Sequence, residues 1–540
     1  MGIAIRRESA MGVSEVNEAV NIMELFQHHI LPELQDQNHT ARPVVKATSI
    51  KFVSTFRNQF SRENAIQLIP LLINHLASPV IVVHTFAAYA IERILMTKET
   101  VDGGAKRPKV GAADIQPFLE PLFNSLFAIV DNTQLNENDY VMKCVMRTLI
   151  TAGDDVIPVT QIVITKLTAA LGHVAKNPRN PQFNHYLFES IAVLVRTVCS
   201  KDSSATTSFE ALLFDPFTTV LHMQIAEFTP YVFQVLSQLL EYRPTEAGPG
   251  QAYTNLFAPI LTPALWEQAG NVPAMARLLQ AYVRKAPGLV VESLNQVLGV
   301  FQRLVAFKST EANAFDILKY VICFLPQEAT EPKLTELFRI LLHKLQKKPD
   351  AIKYKRLLTD FFALFVGKFG AQVFADRLNG LQPGMDIMIL AQVWNPRIRS
   401  DPPLLKSEVK LQVIGLTKLL CESPSVLNSN TDVWCATLLS IVTLLTSTAY
   451  TSTPSGADDE IEVEIGYDAQ YSRLVHASRM ADDFFADVPD PSIAFVQSLH
   501  ALSASQPGML LPLIDRSLSQ DPKLKTGLTA MFQQAGLHLG

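Results

Sequence analysis

The chain has 540 residues, of which 48% are hydrophobic and 18% charged, and its formal net charge is −5. This length allows several domains or one long array of repeats, and the negative charge argues against general binding to nucleic acid. A mean hydropathy of +0.17 is high for a protein outside the membrane. Helices buried on two sides between neighbouring repeats would account for this value.

The best membrane-spanning candidate is residues 433–450, which carry no charge but include six serines or threonines. A span needs about 20 predominantly apolar residues, so we predict a buried helix here and no membrane insertion. The first residues lack the apolar run of a signal peptide. Five scattered cysteines without a CxxC spacing predict neither disulfides nor zinc. We therefore expect a soluble protein in a reducing intracellular compartment.

Apolar residues recur at helical spacing along almost the whole chain, and no alternating segment is long enough to build a sheet. Helix pairs begin near Arg62, Ala112, Val156, Ser208, Gln251, Val290 and Pro332. The steps between these starts are close to the period of about 40–47 residues that HEAT and armadillo repeats have. The sequence therefore predicts an all-α fold, a HEAT/armadillo-type α-solenoid superhelix of stacked antiparallel helix pairs.

One helix pair is most clearly marked at residues 253–283, where two apolar stripes flank a short polar connection. Pro259 and Pro263 interrupt the first helix, because proline lacks the N–H that a helix interior needs. Gly270 is predicted to end that helix in a left-handed conformation, and Asn271 is predicted to cap the second one.

Two interruptions divide the repeat pattern. The first, residues 97–111, is glycine-rich and basic, and its KRPK at 106–109 resembles a localisation signal but fits a plain loop as well. The second begins at residue 447 and is polar, then acidic. The predicted organisation is a flexible N-terminal segment at 1–20, a solenoid at 21–446, an acidic exposed loop at 447–470, and final HEAT-type helices with a C-terminal cap at 471–540.

Motifs that carry catalysis are absent from the sequence: it has no GxxxxGK[ST], GxGxxG, HExxH or GxSxG. The adjacent histidines His28 and His29 lie in a predicted helix, where neighbours point in different directions. We therefore expect no enzyme, no cofactor and no metal site.

Basic residues are concentrated at 343–356, which contain six Lys or Arg and one Asp. We predict a basic turn between two helices that faces an acidic partner surface. Its candidate partner-binding residues are Lys347, Lys348, Lys353, Lys355 and Arg356. The alternative is a pair of solvated helix ends, where the helix dipole favours cations near the C-terminus.

Acidic residues dominate 455–490, where ten Asp or Glu face two Arg, a local net charge of −8. Apolar residues alternate with the acids at the start of this stretch, which suits contact with a basic partner attracted electrostatically. The candidate residues are Asp458, Asp459, Glu460, Glu462 and Glu464. A solvated loop that contacts nothing is the alternative.

A polar group opens another predicted helix, at residues 183–191. Asn184 and His185, with Glu189, are predicted to line the concave face of the solenoid and to contact a partner. Alternatively, Asn184 caps that helix.

Several of these stretches together resemble the C-terminal half of the CAS/CSE-type exportins, members of the importin-beta superfamily. In chain order they are residues 21–34, 69–76, 83–95, 177–191, 227–241, 253–283, 414–420 and 466–474. The resemblance rests on this ordered series, which runs from about residue 12 to the C-terminus, and on no single motif.

The resemblance implies a superhelix of HEAT repeats that wraps around importin-alpha and the GTP-bound form of the GTPase Ran. Such exportins return importin-alpha to the cytoplasm, binding cargo and Ran cooperatively in the nucleus and releasing both after GTP hydrolysis. It further implies contact with nuclear pore proteins and shuttling between nucleus and cytoplasm through the nuclear envelope. The alternative function is a general HEAT scaffold with an unrelated partner.

This chain departs from the family pattern in one respect: the family's N-terminal half, which provides the main Ran contact, has no counterpart in it. We therefore expect a fragment, an incomplete gene model or a truncated form. By itself it is expected to bind Ran·GTP weakly and not to complete the cooperative cycle.

Overall fold

The computed structural model describes residues 4–9, 12–101, 104–132, 134–451, 473–479 and 482–538. The chain divides into two compact units. Unit 1 contains Met1–Tyr253 and Val463–Arg479, and unit 2 contains Thr254–Glu462 and Met480–Gly540. Each unit is described separately below.

Unit 1 is built from helices, with two short antiparallel strand pairs. The strands are β1 (Ile5–Ser9) with β2 (Gly12–Val16), and β3 (Lys98–Thr100) with β4 (Lys106–Pro108). The helices are α1 (Ile22–Leu25), α2 (Leu31–Gln35), α3 (Pro43–Thr55), α4 (Arg62–Leu76), α5 (Ile81–Met96), α6 (Ala112–Ile115), α7 (Leu119–Val130), α8 (Asp139–Ala152), α9 (Thr160–Val174), α10 (Pro181–Lys201), α11 (Thr206–His222) and α12 (Thr229–Tyr242). Helix α13 (Gly250–Ile260) contains the boundary between the units.

The helices of unit 1 form two layers. In one layer α3, α5, α8, α10 and α12 contact one another in this order, and in the other α4, α7, α9 and α11 do the same. The apolar stripe of α5, which includes Val83 and Ile91, is buried, and its small residues Ala87 and Ala90 let the neighbouring helices approach closely. This arrangement is the stack of helix pairs that the sequence predicts.

Unit 2 repeats the pattern. Its helices are α14 (Val272–Lys285), α15 (Pro287–Glu292), α16 (Leu294–Ala306), α17 (Glu311–Phe324), α18 (Gln327–Lys347), α19 (Ile352–Phe369), α20 (Ala371–Asn379), α21 (Met385–Ile389), α22 (Asn395–Ser400), α23 (Lys406–Glu422), α24 (Pro424–Ser429), α25 (Thr431–Leu445), α26 (Thr448–Thr451), α27 (Pro491–Ser505), α28 (Leu510–Leu518) and α29 (Pro522–Ala535). One layer consists of α14, α17, α19 and α23 in contact order, and α16 and α18 pack against it.

The predicted helix-pair starts agree with the observed ones. Each of the seven lies within about five residues of a helix start, the largest difference being Pro332 against the beginning of α18 at Gln327. The all-α prediction is confirmed over the described residues, whose strands are only three to five residues long.

Within the segment predicted to be flexible, residues 1–20, the strands β1 and β2 pair antiparallel. The side-chain amides of Asn58 and Gln59 donate to the carbonyl oxygen of Val13 at 3.2 and 3.3 Å. Val13 itself is fully buried. The hairpin is thus attached to the end of α3, through contacts that no local sequence pattern signals.

The connection in residues 253–283 differs from the prediction. Helix α13 ends at Ile260, and a 3₁₀ turn, Pro263–Glu267, follows. Gly270 does not adopt a positive φ. The Asn271 side chain donates to Gln268 Oε1 at 3.2 Å instead of accepting from the next helix. Pro259 lies inside α13 and does not interrupt it, which corrects that prediction. Pro263 explains the end of the helix, since it cannot supply the N–H that another helical turn would need.

The uncharged stretch 433–450 forms most of α25, which has 15 residues and buries Trp434, Leu438 and Ile441. At 1.5 Å per residue this helix is about 22 Å long, shorter than the roughly 30 Å hydrocarbon core of a bilayer. Among the described residues, Asp139–Val174 is the one helical run long and apolar enough to span. Gly153, with φ +52°, breaks that run into α8, a 3₁₀ turn and α9.

Candidate interaction surface

In unit 1, residues 473–479 lie across helices α10 and α12; we call them the docked segment. They contain no helix or strand, only a turn closed by the Ser478 N–H donating to the Val475 carbonyl at 3.1 Å. Leu474 and Ala477 are almost completely buried. At the end of the docked segment, Arg479 pairs with Glu241 of α12 at 3.5 Å.

The docked segment is held by its backbone. The Glu189 carboxylate accepts the N–H groups of Val475 and His476 at 2.5 and 3.1 Å. On α12, Gln234 Oε1 accepts the Leu474 N–H at 2.8 Å. Gln238 Nε2 donates to the His476 carbonyl at 3.1 Å. Glu189, Gln234 and Gln238 are each about 2% exposed. We call these three side chains, with the faces of α10 and α12 that carry them, the α10–α12 groove.

The structure places Asn184 and His185 inside the packing of α10, where they are 3% and 4% exposed. Neither is therefore available on a free surface, which corrects the prediction that they contact a partner directly. Asn184 does not cap the helix either, because Asn180 is the N-cap and accepts the Phe183 N–H at 3.0 Å. The prediction was wrong because the sequence does not show whether a polar residue on a helix faces a partner protein or a polar group inside the chain.

His185 contacts the Tyr231 hydroxyl at 3.2 Å, and its Nε2 is 3.7 Å from Glu189. Burial, with a contribution from His476, lowers the pKa of His185 to about 4. The imidazole is therefore neutral in the folded chain at pH 7. Its interaction with Glu189 is then a contact between a neutral ring and a carboxylate, not an ion pair.

The buried His185 predicts a pH dependence of stability. Since an unperturbed histidine has a pKa of about 6.5, the unfolded chain binds a proton between about pH 6.5 and 4 that the folded chain does not. The free energy of unfolding therefore falls as pH falls through this window. We expect His185→Gln to weaken that dependence, measured as urea midpoints at pH 7, 5.5 and 4.5. Exposed His343→Gln is the control, and a dependence that His185→Gln leaves unchanged would contradict the assignment.

In unit 2, the stretch that begins at Asp482 lies on the layer of α14, α17, α19 and α23. Asp482 pairs with Arg284 at 3.1 Å and accepts from the Tyr320 hydroxyl. Asp483 pairs with Lys410 at 2.5 Å. Phe485 packs directly on Gly367 of α19, where a Cβ atom would clash with its ring. Six of the ten acids in residues 455–490 fall outside the described residues, whereas Asp482 and Asp483 make ion pairs within unit 2.

The basic turn between α18 and α19 is partly solvated and partly paired. Lys347, Lys348 and Lys353 are exposed, whereas Lys355 and Arg356 are half-buried. The Arg356 guanidinium donates to the Asp401 carboxylate at 3.2 and 3.0 Å. Arg356 thus makes an ion pair within the chain, and its role as a partner contact stays a prediction, as does that of the exposed lysines.

The KRPK motif is not a free linear signal. Arg107 pairs with Glu99 across β3 and β4 at 2.7 Å, and Lys109 is buried. The Lys109 ammonium donates to the carbonyl oxygens of Arg57, Asn58 and Phe60, at 2.9–3.4 Å. Burial lowers the pKa of Lys109. This lysine stabilises the end of α3 and is not accessible to a receptor.

The predicted acidic residues Asp458, Asp459, Glu460, Glu462 and Glu464 lie outside the described residues. Over the described part of the chain, no three His, Cys, Asp or Glu side chains are grouped to hold a metal. Burial raises the pKa of Cys144 and raises that of Cys199 to about 12, so these thiols are poor nucleophiles.

Two family models match this chain. Residues 92–528 match the model described as CAS/CSE protein, C-terminus, and residues 1–91 match the model described as Cse1. The chain belongs to the CAS/CSE family. The second match begins at residue 1, whereas the resemblance seen in the sequence begins at about residue 12. The resemblance inferred from the ordered stretches is thus confirmed.

Curated relatives of this CAS/CSE chain are named Exportin-2. The protein from Xenopus laevis is 37% identical over 521 residues, which cover 94% of this chain and 52% of the relative. The protein from Homo sapiens is 36% identical over 520 residues, with the same coverage. The chain therefore spans about half the length of the curated relatives it matches.

Solved structures agree with the fold of this CAS/CSE chain. The exportin Cse1 in its cargo-free, cytoplasmic state has a TM-score of 0.81 and 24% identity, covering 98% of this chain and 53% of its own. Yeast importin-beta has a TM-score of 0.57 and 13% identity, covering 96% of this chain and 58% of its own. At these identities the likeness establishes the fold alone, an importin-beta-type solenoid.

Proposed function

We propose that this chain is part of a nuclear export receptor that carries importin-alpha out of the nucleus together with GTP-bound Ran. The observation that carries the proposal is the family match over residues 92–528, joined to 36–37% identity with Exportin-2 proteins. The receptor shuttles between nucleus and cytoplasm through the nuclear envelope and contacts nuclear pore proteins on the way. It binds its partners without catalysing a reaction.

Stacked helix pairs support this function physically, because they present a long surface that gains affinity from area and several contact points. The exposed lysines Lys347, Lys348 and Lys353 face an acidic surface of a partner. The acids at 458–464 face a basic one, with an association rate that falls as salt rises. The alternative is a HEAT scaffold whose partner has no connection to Ran.

A capture experiment from nuclear extract tests the proposal. The immobilised chain is expected to retain importin-alpha, and the retained amount is expected to rise when GTP-loaded Ran is added but not when GDP-loaded Ran is added. A set of captured proteins that lacks importin-alpha and ignores Ran would favour the scaffold. Because the chain covers about half of its relatives, we expect Ran·GTP alone to bind weakly, and nanomolar binding by calorimetry would contradict that expectation.

A further inference from the structure

We propose that the α10–α12 groove is a peptide-binding site, which the docked segment occupies as an intrachain ligand and for which a partner's peptide of like chemistry competes. This proposal does not depend on the exportin function. It rests on contacts within unit 1 between the groove and residues 473–479.

The groove recognises a backbone rather than a particular side chain. Glu189, Gln234 and Gln238 together hold three consecutive N–H groups and one carbonyl group of residues 474–476. All three side chains are buried, and burying polar groups is costly unless they are hydrogen-bonded. Removing the docked segment would take two donors away from a buried carboxylate, so an empty groove is less stable than one in which a backbone segment lies.

The groove has further capacity for donors. Gln238 Oε1 is buried and has no hydrogen-bond partner among the described residues. Native structures contain few such groups. An acceptor left over beside an occupied peptide site indicates that the docked segment does not use every contact the groove offers. A partner peptide that supplies one more N–H would gain a hydrogen bond that the docked segment lacks.

Side chains of the docked segment define the chemistry of a competing peptide. Leu474 and Ala477 are the buried anchors, while Val475 is 43% exposed and contributes little. Arg479 adds an ion pair with Glu241 at the end. The expected ligand is a short peptide with an apolar residue, a small residue three positions later and an arginine two positions after that.

The probe is a labelled synthetic peptide with the sequence of residues 473–479, Arg-Leu-Val-His-Ala-Ser-Arg. The double variant Leu474→Asp, Ala477→Asp expels the docked segment, since two carboxylates cannot be buried beside Glu189. Val475→Asp is the control, which adds one carboxylate to the same segment at an exposed position. Fluorescence anisotropy is expected to show binding to the double variant at least about tenfold tighter than to the control, because an occupied groove lowers apparent affinity by its open fraction.

Adding Glu189→Ala to the double variant is expected to abolish binding of the probe. A double variant with an unchanged circular dichroism spectrum that does not bind the probe would overturn the proposal. If the double variant does not fold, hydrogen exchange on the unaltered chain decides. Excess acetylated probe, distinct in mass, is expected to speed exchange at residues 474–476, and unchanged exchange would equally overturn it.

Discussion

Replacing Asp360 with alanine is expected to lower the free energy of unfolding of unit 2 by about 3–5 kcal/mol, the cost of breaking a buried ion pair. The Asp360 carboxylate, on α19, accepts from Gln412 Nε2 at 2.6 Å and lies 3.7 Å from the Arg397 guanidinium. The Arg397 side chain is 1% exposed, and its nitrogens make no hydrogen bond among the described residues. Without Asp360, a buried cation would lose its nearest counter-charge.

Burial acts on both partners of this pair. It raises the pKa of Asp360 and lowers the pKa of Arg397. Burial thus disfavours the charged form of each group, and each charge depends on the other for compensation. Asp360→Ala is to be compared by urea unfolding with exposed Asp350→Ala, which is expected to change stability by less than about 0.5 kcal/mol.

Replacing both partners, as Asp360→Leu with Arg397→Met, is expected to restore much of the loss, because an apolar pair needs no counter-charge. If Asp360→Ala were as stable as Asp350→Ala, the pair would contribute nothing. If the double replacement were the least stable of all, the network would depend on Gln412 and not on charge.

The periodicity of apolar residues in the sequence was sufficient to predict the stacked helices. Val83, Ala87 and Ile91 are one turn apart, and a stripe at that spacing has to be buried against other helices. Prolines are a weaker signal, because Pro70, Pro216, Pro259 and Pro332 lie inside helices although each removes one backbone donor. Helical spacing is a property of short stretches of the chain, so it can be recognised in a single sequence.

Contacts between residues far apart in the chain could not be predicted from local sequence patterns. Glu189 and Val475 are 286 residues apart, and the sequence around an acid within a helix does not show whether its side chain is exposed or buried. Lys109 belongs to a motif that indicates exposure, yet three carbonyl groups about 50 residues earlier hold it. Lys347, Lys348 and Lys353 of the basic turn are exposed, in agreement with the prediction. The ion pair of Arg356 is made with Asp401, which lies 45 residues later in the chain.

Two glycines that look alike in the sequence have different surroundings in the structure, and we predict opposite effects of replacing them with alanine. Gly299, in α16, and Gly415, in α23, both lie in the interior of a helix with buried apolar residues. The sequence alone does not distinguish them. Alanine normally stabilises a helix interior over glycine by about 0.5–1 kcal/mol. Nothing lies within 4 Å of a Cβ placed on Gly299, so Gly299→Ala is expected to gain that amount.

Gly415→Ala is expected to destabilise unit 2 by about 1–3 kcal/mol, as overpacking of a core does. A Cβ at this position would lie 2.6 Å from the Cα and 2.9 Å from the carbonyl oxygen of Ala363 on α19. These are backbone atoms that cannot rotate away, so α19 and α23 would have to separate where Gly415 packs against Ala363. Urea unfolding of the two single variants side by side tests this. A Gly415→Ala variant at least as stable as Gly299→Ala would mean that the two helices do not approach this closely, and the buried contacts of Asp360 with Gln412, which join the same helices, would then be in question as well.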